Sequence, residues 1–410
     1  MKASKNSQIT EKIIKFIKTI NVEPVVFLLC FAGGIIEIPG RDLVLTKTCL
    51  SGSYFFGDTT YPADVCANLT NYADEQKEIQ ATVSKFNSVT TIMRTLLRIL
   101  VTIFLGSWCD SGGRKGLIIL TCLGRLAMVA SLLLNYTCEG LVIEFFWLDF
   151  PNYLCGADNS LFLGAYAMVT DETTPKMRTI RILILSALWH IGMALANLVT
   201  GYILEFGTFY AVLATNCGAV IAGLLYSFFV LRSSQDQTKN ISCMDVFSFK
   251  GFLGSVSTVI KKRTHGLRHI IILLIFTACL CEFTWGVRFV GIDYYYTRRK
   301  FAWPEIAENP TFPVTWLSQY HTILDTPQTL AVFFIVPFLT NVFHVHDAII
   351  STLGHLSLMA IFINVALATE RNMMYLNAAL GIFIPTQTPA MRAMLSKIVE
   401  PDEIGKVRSS

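Results

Sequence analysis

The chain has 410 residues, of which 53% are apolar and only 15% charged, with a net charge of +4. Soluble domains carry about 25% charged residues, so the shortfall points to a bilayer rather than to a larger soluble core. So small a positive excess gives no ground for a nucleic-acid partner.

A membrane-crossing helix needs about 20 mostly apolar residues. Ten segments qualify: 25–45, 84–105, 116–135, 147–170, 180–204, 209–231, 269–292, 315–340, 347–368 and 374–391. Ahead of them, residues 1–24 carry five lysines and no clear cleavage site, which predicts a cytosolic helix leading into the first span. Placing this segment inside puts 21 Lys and Arg on the inner face and 6 on the outer face. That bias predicts a cytosolic N-terminus.

The first outer loop then holds Cys49, Cys66 and the sequon Asn68-Leu-Thr70. An oxidising setting favours a Cys49–Cys66 disulfide, with two free thiols as the alternative, and makes Asn68 a glycosylation site. The eleven cysteines include no CxxC or Cys/His cluster, so no metal site is expected.

The turn between the second and third spans reads "LGSWCDSGGRKG", residues 105–116. Glycines permit its tight backbone. Asp110, just before the third span, is expected to meet the orphan N–H groups of that helix. Arg114 and Lys115 anchor the same end and are expected to pair with acids on neighbouring helices, forming a latch. A plain polar hairpin is the alternative.

Farther along, residues 232–268 form the longest inner loop, with six spans before it and four after. Its second part, "VFSFKGFLGSVSTVIKKRTHGLR", has the pattern of a surface helix on a basic membrane face. Transporters are often two six-helix halves around a midplane site. The expected organisation is therefore a segment 1–24, a six-helix half 25–231, a loop 232–268 and an incomplete half 269–410.

Gly106, Asp110, Gly113, Arg114 and Lys115 fall as G-x-x-x-D-x-x-G-R-K. This resembles the signature of the major facilitator superfamily, with Trp108 in the usual Leu position and Ser111 in the usual Arg position. "VEPVVFLLCFA" (22–32), "TDETTPKMRTIRI" (170–182), "YYYTRRKFAW" (294–303) and "TPAMRAMLSKIVEPDEIGK" (388–406) resemble solute carrier family 46. That resemblance implies an all-α multi-pass membrane protein with the major facilitator fold. About ten helices, six plus four of an expected six plus six, imply a chain truncated before the last two. It also implies a secondary transporter of small organic anions, folate-like or muropeptide-like and proton-coupled, in the plasma or lysosomal membrane. A non-transporting short form is the competing expectation. No P-loop, HExxH or GxSxG occurs, so neither ATP coupling nor an enzyme is expected. No cofactor and no obligate protein partner are implied; the partners are solute, protons and lipid.

Charges within spans are costly and usually face the bundle interior. Asp158, beside Asn159 and Ser160, marks a helix expected to face a wet cavity. Arg288 is the candidate to meet an anionic substrate, with an intramembrane ion pair to Asp158 or Glu37 as the alternative. Arg125 adds a buried cation. Arg94 and Arg98 share a helix face, along an anion path or paired with Glu37. By resemblance, Arg392 handles substrate. Glu282 and His190 are the proton-coupling candidates, with His321 as a further candidate relay; a hydrogen-bonded histidine without that role is the alternative for each. Ser186 stands where the folate transporter has a Glu, and Ala302 where the family often has a Cys before Trp303.

Overall fold

The computed structural model describes residues 20–67, 69–110, 113–138, 140–173, 175–232, 261, 267–289, 292–301, 314–343 and 345–398. The expected helix over 1–24 and the surface helix in the central loop lie almost wholly outside these residues, and Asn68 and Ala302 lie outside them. Every long element is a helix: α1 (Glu23–Ser51), α2 (Ala73–Asp110), α3 (Arg114–Thr137), α4 (Ala157–Glu172), α5 (Pro175–Phe206), α6 (Phe209–Phe229), α7 (Leu267–Phe289), α8 (Ile292–Phe301), α9 (Val314–Leu330), α10 (Asp347–Leu367) and α11 (Gln387–Ile398). After Leu330 the chain of α9 continues through a π-helical stretch, Ala331–Ile335, to Asn341. Seven helices among the described residues are long and apolar enough to cross a membrane, and α7 contributes a shorter apolar stretch, Leu267–Cys281.

Helices are the natural solution because hydrocarbon offers no partner for a free N–H or C=O. In the first helix a side chain makes good a break in that rule. Pro39 lies inside α1 and has no N–H for the carbonyl of Ile35. Thr200 of α5 donates its hydroxyl to that carbonyl at 3.2 Å. Asn216 of α6 donates its amide to the carbonyl of Ala32 in the same helix. α1 is thereby fastened to the two helices it packs against most.

Two expected spans are not continuous. The fourth, predicted over 147–170, is a 3-10 segment Ile143–Asp149, a turn Phe150–Leu154, and then α4. Gly156 makes the break, with φ +78°, a conformation that L side chains rarely adopt. Ser160 was expected to face a cavity with Asp158; it is instead buried and donates to the carbonyl of Cys155 at 2.6 Å. The tenth span is broken into Arg371–Tyr375, Asn377–Leu380, Ile384–Thr386 and α11. Here Gln387 donates to Gly354 of α10 at 2.7 Å, and Asn364 of α10 donates to Met373 at 2.9 Å. Hydropathy averages over a window and does not register such breaks.

At one end of the bundle, Cys49 at the end of α1 is disulfide-bonded to Cys66 in Ala63–Ala67, with Cα atoms 5.7 Å apart. Ser53 donates to the Glu144 carboxylate, which also accepts from the Phe55 amide at 3.2 Å. We call this the disulfide end, and the end carrying residues 105–116 the motif end.

Two measurements check this account. Thr200→Val strands a buried carbonyl and is expected to cost about 1–3 kcal/mol, read as a lowered melting temperature of the purified protein. A disulfide closing a loop of about 15 residues is worth about 3 kcal/mol. Reductant should therefore lower the melting temperature of the wild type and leave a Cys49→Ser, Cys66→Ser double variant unmoved.

Candidate functional site

One face of α4 carries the site. Asp158, Phe162 and Tyr166 recur every four residues, so they stack along one side of the helix. Arg125 of α3 is only 4% exposed and donates from its guanidinium to the Asp158 carboxylate, whose side chain is 37% exposed. The guanidinium lies flat on α1, where a side chain at Gly33 would put its Cβ 2.8 Å from Nη1. A side chain at residue 33 would therefore oblige the guanidinium to shift. Asp158 is thus an ion-paired carboxylate with one side open, and its partner is Arg125.

Phe162 stacks on Tyr166 with ring centroids 5.7 Å apart and tilts against Trp189 of α5 at 5.6 Å. The Tyr166 hydroxyl lies 3.2 Å from that of Ser186 on α5. The Arg392 guanidinium, in the first half of α11, sits over the Tyr166 ring at 4.7 Å. The aromatic face supplies a cation–π contact across helices far apart in sequence. Arg392 itself remains exposed. The wall therefore offers a paired carboxylate at one level, three aromatic rings in the middle and an exposed cation at the other level.

Other predicted residues take different places. Glu282 and Arg288 lie on α7, and their side chains fall outside the described residues. His190 is buried on α5, one turn beyond Ser186. Glu37 is paired with Arg41 of its own helix at 2.9 Å, and Arg94 with Asp149 at 2.8 Å. The alternative of a Glu37–Arg94 pair is corrected accordingly, since Glu37 is taken by Arg41 and Arg94 by Asp149. Among the described residues no group of His, Cys, Asp or Glu has metal-binding geometry.

The motif turn is built differently from the expectation in one respect. Asp110 is the last residue of α2, and the N-cap of α3 is Gly113, with no side-chain cap. The Asp110 side chain, expected to meet the N–H groups of that helix, lies outside the described residues. Gly106 lies in the last turn but one of α2. Trp108 fills the turn, and its indole would lie 2.4 Å from a Cβ at Gly113 and 2.7 Å from one at Gly116. Arg114 forms an ion pair with Asp171 at the end of α4. Lys115 donates to the carbonyls of Phe228 and Leu231 at 3.0 Å each, capping α6.

Sequence reasoning missed a second cluster at the motif end. Arg181 of α5 donates to Glu23 at 2.9 and 2.6 Å and to Glu172 at 3.2 Å. Asn21 bridges Glu172 to Arg232, and Tyr226 donates to the Asn21 carbonyl. The signal was available: Glu23, Glu172 and Arg181 lie at the rims of three predicted spans.

The pattern of helices and the turn now meet the comparisons with known proteins. Residues 55–409 match the family model described as Major Facilitator Superfamily. The chain belongs to the Major Facilitator Superfamily. Within it, the chain's relatives carry the name of solute carrier family 46. The Drosophila melanogaster probable peptidoglycan muropeptide transporter is 25% identical over 94% of this chain and 75% of its own length. The Homo sapiens lysosomal proton-coupled steroid conjugate and bile acid symporter is 25% identical over 95% of this chain and 83% of its own. Among solved structures, the human organic anion transporter MFSD10 superposes with a TM-score of 0.61 at 12% identity, covering 95% of this chain and 87% of that one. The nucleoside transporter NupG superposes with a TM-score of 0.57 at 11% identity, covering 95% and 86%. These two show the shared fold.

For a facilitator-superfamily chain, Trp108 in the Leu position of the motif has a steric consequence. Gly113→Ala should cost about 1–3 kcal/mol through overpacking against the indole. Combining it with Trp108→Leu should recover most of that loss. Thermal unfolding of the two single variants and the double variant checks this; equal melting temperatures for Gly113→Ala and wild type would overturn it.

Proposed function

We propose that this membrane transporter moves small organic anions with an apolar body, coupled to protons, by alternating access. The observation that carries this reading is the α4 wall with Arg392 over Tyr166. An anion with a flat or greasy body can lie on Phe162, Tyr166 and Trp189 and present its charge to Arg392. Arg125 neutralises Asp158 from behind, so the wall as a whole does not repel an anion. Steroid conjugates and bile acids, for which the human relative is named, have the apolar body that this wall suits.

In this reading the motif end faces the cytosol, in keeping with the Lys and Arg bias. The halves 25–231 and 269–410 rock against each other, with Glu282 or Asp158 exchanging a proton and Arg288 adding a second cation. Cys49–Cys66 and a glycan on Asn68 belong to the outer or lumenal face. Arg114 and Lys115 hold the motif latch.

The test is uptake of a labelled muropeptide, a labelled steroid sulfate and labelled folate by cells expressing the full chain, at acidic and neutral pH. Uptake of at least one, stimulated by acid, is expected. Arg392→Ala should reduce it at least tenfold and Arg392→Lys by less, since the ammonium keeps a charge over the ring but loses planar stacking. Uptake unaltered in Arg392→Ala would remove Arg392 from the site. Surface-expressed protein that moves none of the three solutes would overturn the reading.

A further inference from the structure

Buried amides gather at the broken tenth span, and all but one are put to structural use. Asn364 donates to the Met373 carbonyl at 2.9 Å and to the Asn377 side chain at 2.8 Å. Asn377 in turn donates to the Tyr320 hydroxyl at 3.0 Å. Gln387 donates to the Gly354 carbonyl at 2.7 Å and accepts from the Cys281 thiol at 2.8 Å. Asn377 and Gln387 are thus satisfied on both nitrogen and oxygen.

Gln328 of α9 is the exception. It is fully enclosed. Among the described residues it is the one amide side chain whose nitrogen and oxygen both lack a hydrogen-bond partner. Its amide faces the break, since a Cβ at Gly381 would lie 3.2 Å from Nε2. The backbone is irregular here on α9 as well. Pro327 lies inside the helix, and after Leu330 comes the π-helical stretch Ala331–Ile335, a departure that often marks functional sites. Discontinuous helices are where transporters typically form their solute sites.

The position of Gln328 joins it to the aromatic wall. α9 starts at the disulfide end and α5 finishes there, for Tyr320, Leu324 and Leu204 share a core with Cys49 and Cys66. The two helices are therefore antiparallel, with Asn197 of α5 donating to Asp325 of α9 at 3.4 Å. Gln328 lies three residues farther along α9, roughly 4.5 Å toward the motif end. Its level on α5 falls between Asn197 and Trp189. Ile384–Thr386 of the break packs on both α5 and α9 and leads directly into α11, which carries Arg392.

A buried amide without partners costs stability that an apolar side chain of the same shape does not. The partner that compensates is to be sought outside the chain. A glutamine side chain offers two donors and an acceptor, which together match the C=O and N–H of a peptide-type amide. We propose that Gln328 is a solute-binding residue that reads an amide in the transported anion when the seam of α5, α9 and the break parts to admit it. Nε2 donates to the solute carbonyl and Oε1 accepts from the solute N–H. The favoured solutes are then anions whose carboxylate is attached through an amide: peptides and amino-acid conjugates. This deepens the proposed function and rests on it.

The test uses hippurate and 3-benzoylpropionate, which share a ring, a carbonyl and a carboxylate and differ in N–H against CH2. A ligand of the native state raises the melting temperature in proportion to its occupancy. For the purified full chain, hippurate is expected to bind about tenfold more tightly than 3-benzoylpropionate, because the analogue leaves Oε1 unpaired. In Gln328→Met the two anions should bind alike. Without ligand, Gln328→Met should melt at or above the wild-type temperature. A lower melting temperature for Gln328→Met would show that the amide is satisfied within the fold and would overturn the assignment. Equal binding of the two anions to the wild type, or a preference that survives in Gln328→Met, also overturns it. Binding of neither anion by a chain that takes up the steroid sulfate sinks this inference and leaves the wall standing. Binding of neither by a chain that moves no solute sinks both.

Discussion

Every backbone carbonyl that a break in an apolar helix sets free must be met from within the protein. In water such a group would simply be solvated; in hydrocarbon it costs several kcal/mol. Much of the polar content of these spans answers to this constraint. Thr200 serves the carbonyl opposite Pro39, Ser160 the turn before Gly156, and Asn364 the fractured tenth span. The breaks come where the site needs them. Gly156 ends the turn one residue before α4, so Asp158 falls in the first turn of that helix, within reach of Arg125.

Charges are handled by the same economy. Arg125, Arg94, Arg41 and Arg181 are each drawn to a carboxylate on a packed helix or on their own. Removing one partner of such a buried pair strands the other, which is why pairs rather than single charges populate the interior. Arg392 departs from this pattern, lying exposed over an aromatic ring. A cation held by a ring keeps its donors available for a ligand, whereas one held by a carboxylate has spent them.

How much of this was legible in the sequence follows from the range of each interaction. Continuous spans such as α3, α6 and α10 announce themselves because hydropathy is a local sum, and their ends fall within a few residues of the expected ones. The motif turn was legible from spacing, and so was the need for its glycines. Its filling by Trp108 was not, since that depends on where an indole swings. Asp158 and Arg125 were each visible as charges in apolar runs, but their pairing spans 33 residues and two helices. Asp325 was passed over although "YHTILDTPQ" places it four residues after His321. A lone acid beside Thr, Pro and Gln reads as a polar helix end until the partner helix is known.

Lys115 illustrates what kind of fastening the motif end possesses. Its partners are backbone carbonyls in the last turn of α6 and just beyond it, while Arg114 beside it grips a carboxylate. The carbonyls are neutral backbone dipoles, whereas the carboxylate carries a full charge on a side chain. Two neighbouring cations are therefore fastened by different means. A change of side chain on α6 leaves the first tie in place, and a change at Asp171 alone removes the second.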